Sequence, residues 1–267
     1  MRLNHLLSFV LLLLFSRTAL CCELKAEEPF EVKPEATDTS VAPIRLSPFT
    51  AQYELFRGDE AVGSATRKLG RVDANQWDLS MKAKASLMFI NFEYQQESRF
   101  TWYNNLPRPV NFEQQDFNSF KSPRVQKQRF DWDYMKEYGS YKGKSWDIRL
   151  EEGTQDRLTS LIMLRLSLLS EADEPESSQE VKRFYRIPVS YKGDVGVDVY
   201  EVLGTINIDF GNQTFSTLKV EKLHGTERRR TFLWLDLNNE LVPVRIQQFK
   251  DDEEQADMRL KSLSLGS

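Results

Sequence analysis

Apolar and polar residues alternate along most of the chain after residue 47, and this period of two is the feature that most restricts the fold. In FTAQYELF (49–56) and WDLSMKAKA (77–85) every second residue is apolar, so each stretch can place one face against a core. Short turn sequences recur between such stretches, at 58–59, 73–75, 142–144, 192–194, 211–212 and 238–239. No strand–helix–strand rhythm accompanies them. The pattern therefore predicts a mainly β protein, an antiparallel meander curled into a barrel or half-barrel.

One segment, TQDRLTSLIMLRLSLLSE (154–171), breaks the alternation. Its leucines spread over about four helical turns, and Thr154 or Asp156 could cap the start, which predicts one helix near residues 155–169. The apolar arc is too wide for a surface helix, so we expect the helix to plug or close the concave face of the sheet. Six further strand-like stretches follow without an internal repeat. A single domain over 47–267 is expected.

The first 22 residues have the layout of a secretory signal peptide. A weakly positive start precedes an apolar run too short to cross a bilayer, and a small-residue zone ends at Cys22. Ala19-Leu20-Cys21 fits ordinary cleavage near Cys21 or Cys22, which would make the protein periplasmic or otherwise exported. A lipoprotein anchored at Cys22 and an uncleaved anchor are the alternatives.

Residues 23–46 are rich in Glu, Pro, Ala and Thr and show no sustained period, which predicts a disordered linker. No other long apolar stretch follows, so no transmembrane span is expected in the mature chain. The net charge of −4 and a sequence pI ≈ 5.5 argue against a nucleic-acid partner, because phosphate contacts need clustered Lys and Arg. We expect a monomer.

Few residues suited to catalysis would remain after the signal is removed. Cys21 and Cys22 are the only cysteines, and His224 would be the only histidine left. A zinc site built from Cys and His and thiol catalysis are then excluded. The sequence also lacks a Gly-x-Ser-x-Gly elbow, a phosphate loop and a dinucleotide fingerprint. We expect no metal and no cofactor, and His224 is expected to face water in a turn.

Carboxylates are abundant, so a hydrolytic pair of acids stays open at this point. In RFDWDY (129–134), Asp131 and Asp133 would share one strand face, with Trp132 and Tyr134 on the other. Such a stretch is more often a polar outer face over an aromatic inner face than a sugar site.

Consecutive arginines at 228–230 precede an aromatic strand. Because neighbours in a strand point to opposite sides, at least one guanidinium must face the concave side or lie at a strand end. Beside a Trp and a helix Arg it could hold an anionic head group by two-pronged contacts, although pairing with surface acids is the simpler alternative. The predicted lining of a ligand site is Leu161, Leu164, Arg165, Leu168, Arg229 and Trp234.

Two stretches resemble the exported bacterial family catalogued as domain of unknown function 3108 (DUF3108), in which an Asp-x-x-Ser-x-x-x-x-x-Arg helix precedes an Arg-x-x-x-Trp…Leu-Pro-Val-Arg ending. The matching residues are Asp156, Thr159 or Ser160, and Arg165 on the helix, and Arg230, Trp234, Pro243, Val244 and Arg245 on the ending. The opening PFTAQYELFRGDEAVGSATRKL also resembles that family's first hairpin. The resemblance covers about residues 47 to 263.

The resemblance implies an architecture and no activity: a curved antiparallel sheet around a helix, similar to periplasmic lipoprotein carriers, with no catalytic residues to carry over. We therefore expect a non-enzymatic envelope protein that binds a hydrophobic or amphipathic ligand, such as a lipid, or a protein segment in the concave face. The first alternative is a structural or assembly partner of another envelope protein, recognisable by a filled barrel and an exposed apolar patch. The second is a carboxylate-dependent hydrolase.

Overall fold

A computed structural model describes residues 46–266 except 88, 172–181, 211 and 227. The predicted signal peptide (1–22) and nearly all of the predicted linker (23–46) lie outside the described residues. Within the described part, the elements are β1 (Phe49–Arg57), β2 (Glu60–Arg71), β3 (Gln76–Leu87), β4 (Ile90–Tyr103), β5 (Leu106–Asn118), β6 (Lys121–Asp131), β7 (Lys136–Tyr141), β8 (Lys144–Arg149), α1 (Thr159–Glu171), β9 (Phe184–Tyr191), β10 (Asp194–Phe210), β11 (Gln213–Leu223), β12 (Arg229–Asp236), β13 (Pro243–Lys250) and β14 (Glu253–Leu265).

The fourteen strands form one antiparallel sheet in the order β8-β7-β6-β5-β4-β3-β2-β1-β14-β13-β12-β11-β10-β9. The first eight strands make one meander and the last six make another, and the pairing of β1 with β14 joins them. The edge strands β8 and β9 do not pair with each other in the described chain, so the sheet is open. Gln155 covers part of one edge through a parallel bridge to Val189 of β9.

The alternation read from the sequence decides which side chains reach the core. On β3 every second side chain from Trp77 to Ala85 is buried, and the residues between them are half-buried or exposed. The register aligns Leu79 with Leu69 on β2 and with Ser98 on β4. We call the face that carries these residues the inner face, because it also carries the contacts to the helix, and the opposite side the outer face.

The helix begins one turn later than predicted. Residues 157–158 form a turn, and the α-helix runs over Thr159–Glu171. Its buried residues lie all around its axis, as the wide apolar arc predicted. Among the described residues, no helix has the length and apolar character needed to cross a membrane.

The six predicted turn sequences all fall between paired strands and account for six of the twelve hairpin connections, but one strand prediction was wrong. β6 ends at Asp131 and residues 132–135 form the turn to β7, with Met135 at a φ of 49°. Asp131 accepts a hydrogen bond from the backbone N–H of Tyr134 at 3.4 Å. Asp133 lies exposed in that turn, so the two acids do not share a strand face.

Candidate functional site

A buried carboxylate anchors the start of the helix on the inner face. Oδ1 of Asp156 accepts the backbone N–H groups of Leu158 (2.7 Å) and Thr159 (2.9 Å), and Oδ2 accepts the hydroxyl of Ser98 on β4. Asp156 is thus the cap, one of the two residues that the sequence offered for this position. Burial raises the pKa of Asp156 to about 6, although these hydrogen bonds favour its charged form.

Two buried arginines hold the helix to the sheet. Nη2 of Arg67 on β2 lies 3.5 Å from the carbonyl oxygen of Leu158, and Nε of Arg165 donates to the carbonyl oxygen of Glu240 at 2.9 Å. The Glu240 carboxylate accepts the backbone N–H of Ser47 (2.8 Å) and its hydroxyl (2.6 Å). Burial lowers the pKa of both arginines, that of Arg165 to about 9. The helix is therefore tied to the β12–β13 loop and to the entry of β1.

The helix residues predicted to line a ligand site lie in a packed core. Leu161, Leu164, Arg165 and Leu168 are all buried, with Leu161 the most exposed of them at 7%. Leu164 and Arg165 are among the largest fully buried side chains of the described chain. These four side chains contact protein atoms, so a ligand could reach them only by displacing the packing.

The other two predicted lining residues lie elsewhere. Leu233 aligns with Val220 and Ile246 on the inner face, so its neighbour Trp234 points to the outer face. Arg229 lies at the first residue of β12, about seven strand residues or about 23 Å from the end that carries the Glu240 loop. The six predicted residues therefore do not come together in one site.

Trp234 belongs to an aromatic and cationic cluster on the outer face. The side chains of Lys219 and Arg245 lie 5.1 Å and 4.9 Å from the centre of its ring. Arg245 donates two hydrogen bonds to the buried carboxylate of Asp257, at 2.8 Å and 2.6 Å, and Arg259 donates a third at 2.7 Å. The stretches that resemble the DUF3108 ending thus form a self-paired patch rather than a ligand rim.

Sequence reasoning missed a row of buried glutamines on the inner face of β4–β6. Gln96, Gln114 and Gln126 stand opposite one another across three strands, and Gln128 follows on β6. Gln126 donates to Gln128 (2.9 Å), which donates to Glu137 on β7 (2.8 Å). The period of Gln96 and Gln114 is visible in FEYQQESRF (92–100) and FEQQDF (112–117), where these two glutamines alternate in step with buried aromatic residues.

This polar row carries unpaired acceptors. Oε1 of Gln96, Oε1 of Gln126 and Oε2 of Glu137 are buried and accept no hydrogen bond within the described residues. Leaving such groups next to hydrocarbon costs about 1–3 kcal/mol each. The inner face along β4–β7 is therefore better suited to ordered water than to an acyl chain.

A tryptophan packs across the gap between the sheet edges. The ring of Trp146 on β8 lies over Gly139 of β7, where an added Cβ would stand 2.2 Å from Cζ2, and next to Gly193 in the β9–β10 turn, where a Cβ would stand 2.8 Å from Cγ. Its Nε1 donates to Glu137 at 2.7 Å. The two glycines leave the space that this ring occupies, so the edges meet through side chains instead of a backbone ladder.

The outer surface has a groove of about 850 Å³ over β2–β7, and its walls carry paired charges. Arg99 donates to Asp78 at 3.0 Å, and Lys127 lies 3.3 Å from Glu113. No group of three His, Cys, Asp or Glu side chains suited to a metal ion occurs in the described part of the chain. Nε2 of His224 lies 2.9 Å from the hydroxyl of Thr231.

Exposed aromatic residues gather where two neighbouring hairpins end. Phe89 in the β3–β4 turn is 90% exposed, and Phe120 in the β5–β6 turn is 66% exposed. The backbones of these turns are joined, because the N–H of Asn91 donates to the Ser119 hydroxyl at 2.9 Å and the Ser119 N–H donates to the Asn91 carbonyl at 3.1 Å. Phe117 adds a third exposed ring beside them. We call Phe89, Phe117 and Phe120 the aromatic tip.

These features define the class of the protein: a mainly β chain whose described residues form one open antiparallel sheet with one buried helix on its inner face. The chain belongs to the DUF3108 family, described as a protein of unknown function, because the family model matches residues 49–261. The family resemblance expected from the sequence is thereby confirmed.

A solved structure shares the fold. The chain is similar to a β-barrel-like protein of the domain of unknown function DUF1849 from Brucella abortus, with a TM-score of 0.54 and 13% sequence identity. The similarity covers 84% of this chain and 100% of that chain. At this identity the likeness concerns the fold alone. No curated protein matches the sequence.

Proposed function

We propose that this is a non-enzymatic, exported envelope protein that works by docking another envelope protein through its aromatic tip. The observation that carries the proposal is the packed inner face. Leu164 and Arg165 of the helix fill the space in which a carrier would hold its ligand. This combination of a filled sheet and an exposed apolar patch is the sign expected for a structural or assembly partner.

The chemistry of the inner face also argues against the lipid-carrier alternative. An acyl chain needs a continuous apolar wall, but Gln96, Gln114 and Gln126 interrupt that wall with amide groups. The hydrogen bonds of Asp156, Arg67 and Arg165 would have to break before the helix could move aside. Carriage of a lipid would therefore require a large rearrangement.

The aromatic tip has the properties of a protein-docking surface. Phe89 and Phe120 stand on separate turns that are held together by backbone contacts, so the two rings are presented as one unit. Aromatic residues are enriched among the side chains that carry binding energy at protein interfaces. A pocket that received both rings would bury them at little entropic cost, because their backbones are already joined.

Photo-crosslinking in the native envelope tests the proposal. A photoreactive phenylalanine analogue at position 89 or 120 is expected to give one shared crosslinked product. Tyr134 is the matched control, since it is 76% exposed in a turn at the opposite ends of the strands. Phe89→Ser combined with a crosslinker at 120 should remove the product, whereas Tyr134→Ser should not. Equal products from the tip and control positions would overturn the proposal, as would recovery of a lipid in equimolar amount with the purified protein.

A further inference from the structure

Strand β14 extends beyond the end of β13, its partner on one side. The β13–β14 ladder ends where Arg245 stands opposite Arg259, but β14 continues to Leu265. On its other side, β14 stays paired with β1 as far as the match of Leu265 with Phe49. Residues Ser262–Leu265 therefore have a backbone partner on one side only within the described chain.

A notch occupies the place of the missing strands. β12 ends at Asp236 and β13 starts at Pro243. β11 begins at Gln213, four residues before Thr217, the first of its residues to pair with β12 (opposite Asp236). The gap between β11 and β14 thus spans about three strand spacings, or about 14 Å. The notch has a volume of about 720 Å³. Its lining includes Phe215 on one wall, Leu263 and Leu265 on the other, and Asn238 and Asn239.

The edge of β14 lacks the usual protection against strand pairing. Natural edges are blocked by Pro, by inward charges or by a covering loop, and Ser262–Leu265 has no proline and no charged residue. Side chains alternate along this edge, with Leu263 and Leu265 on one side and Ser262 and Ser264 on the other. Leu265 is 43% exposed. Within the described residues, the edge therefore presents a row of unpaired backbone donors and acceptors beside an apolar wall.

We propose that this notch binds an extended segment of a partner protein, which adds as a strand to the edge at Ser262–Leu265. Among protein segments, an extended backbone matches the spacing of this row of N–H and C=O groups. The bound segment would carry apolar residues at alternate positions, facing Leu263 and Leu265. Lys261 at the inner end of the edge already pairs with Glu54, its Nζ 3.4 Å from Oε1, so the segment needs no acidic residue there. The notch is separate from the aromatic tip, so the proposal of strand addition does not depend on docking through the tip.

Hydrogen exchange on the full mature chain tests strand addition directly. The probe is a short synthetic peptide of alternating Val and Thr. The N–H of Gly266 donates to the Pro48 carbonyl, so by alternation the N–H groups of Ser262 and Ser264 also face β1, and those of Leu263 and Leu265 face the open edge. We expect the Leu263 and Leu265 amides to exchange fast in the free protein and to become protected when the peptide is added. A peptide of the same sequence with N-methyl groups on its ladder-facing amides is the matched control, because it keeps the side chains and loses the donors. It should bind about tenfold more weakly or worse.

A substitution at the edge distinguishes binding by strand pairing from binding by apolar contact alone. Ser264→Lys places a charge on the edge without changing the apolar wall, and it is expected to weaken peptide binding by about tenfold. Ser86→Lys adds the same charge to an exposed position of β3 and should leave binding unchanged. Equal binding of the normal and N-methylated peptides would overturn the proposal. Protection of the Leu263 and Leu265 amides before any peptide is added would overturn it too, because another part of the chain would then occupy the notch.

Discussion

Replacing Asp156 with asparagine is the most informative single change on the inner face. The Asp156 carboxylate is completely buried and its pKa is raised from 3.8 to about 6, with burial as the largest cause. An asparagine at this position can accept the N–H groups of Leu158 and Thr159 through Oδ1 and can donate to the Ser98 hydroxyl through Nδ2. Asp156→Asn therefore removes the charge and keeps the cap.

The expected size of the effect follows from the raised pKa. A folded carboxyl group that titrates near pH 6 binds its proton more tightly than the unfolded one, so the free energy of unfolding falls as the pH rises from about 4 to about 6. Each tenfold difference in proton affinity is worth about 1.4 kcal/mol. For Asp156 the total is about 3 kcal/mol, lost by the time the pH exceeds about 6.5. The asparagine side chain does not titrate and avoids this loss.

Urea denaturation of both proteins across this pH range measures the difference. We expect the stability of Asp156→Asn relative to the wild type to increase by about 3 kcal/mol between about pH 4 and about pH 7. Asp73→Asn is a control of opposite sign. Backbone N–H groups of Asn75 and Gln76 lower the pKa of Asp73, so its stabilising contribution is present near neutral pH and lost on acidification. If the stability curves of wild type and Asp156→Asn run parallel with pH, burial does not raise the pKa of Asp156 in the folded protein.

Two further substitutions test the packing. Gly139→Ala should displace Trp146, lower the free energy of unfolding by about 1–3 kcal/mol and change the tryptophan fluorescence, whereas Gly70→Ala, with only a lysine side-chain atom within 4 Å, should leave the fluorescence unchanged. Arg165→Ala should cost about 2–5 kcal/mol in urea denaturation, because it leaves a cavity and the Glu240 carbonyl unpaired, but Arg165→Met should change stability by less than about 2 kcal/mol. Equal losses for the two Arg165 variants would contradict the packing argument.

The strand pattern was predictable because buried and exposed residues alternate on strands that have one solvent-exposed face. On β1 and β3 the apolar residues named from the sequence are the buried ones, and six strands follow the helix as predicted. The turns at 104–105 and 251–252 were missed. They place Asn104 and Asp251, with their neighbours, at positive φ, a conformation that Asn and Asp adopt more readily than most residues.

The candidate site was less predictable because β12 is buried on both faces. Phe232, Leu233, Trp234 and Leu235 are consecutive and all buried, so parity alone does not say which of them face the helix. Only the register with β11 and β13 separates Leu233 from Trp234. The buried glutamines were missed for the opposite reason, because polar residues of a strand are normally assigned to its solvent-exposed face.

Apolar packing and polar hydrogen bonds make different contributions to holding the helix on the inner face. A helix that is apolar all round packs almost equally well after a small rotation or slide, so its leucines supply stability without fixing its position. Asp156 and Arg165 each hydrogen-bond at a fixed point of the sheet or loop, and a slide of one residue would leave both buried and unpaired. We infer that these polar contacts set the register of the helix. On this reasoning Arg165→Met keeps most of the stability but lets the helix occupy several positions, which would weaken the near-ultraviolet circular dichroism while leaving the far-ultraviolet signal intact.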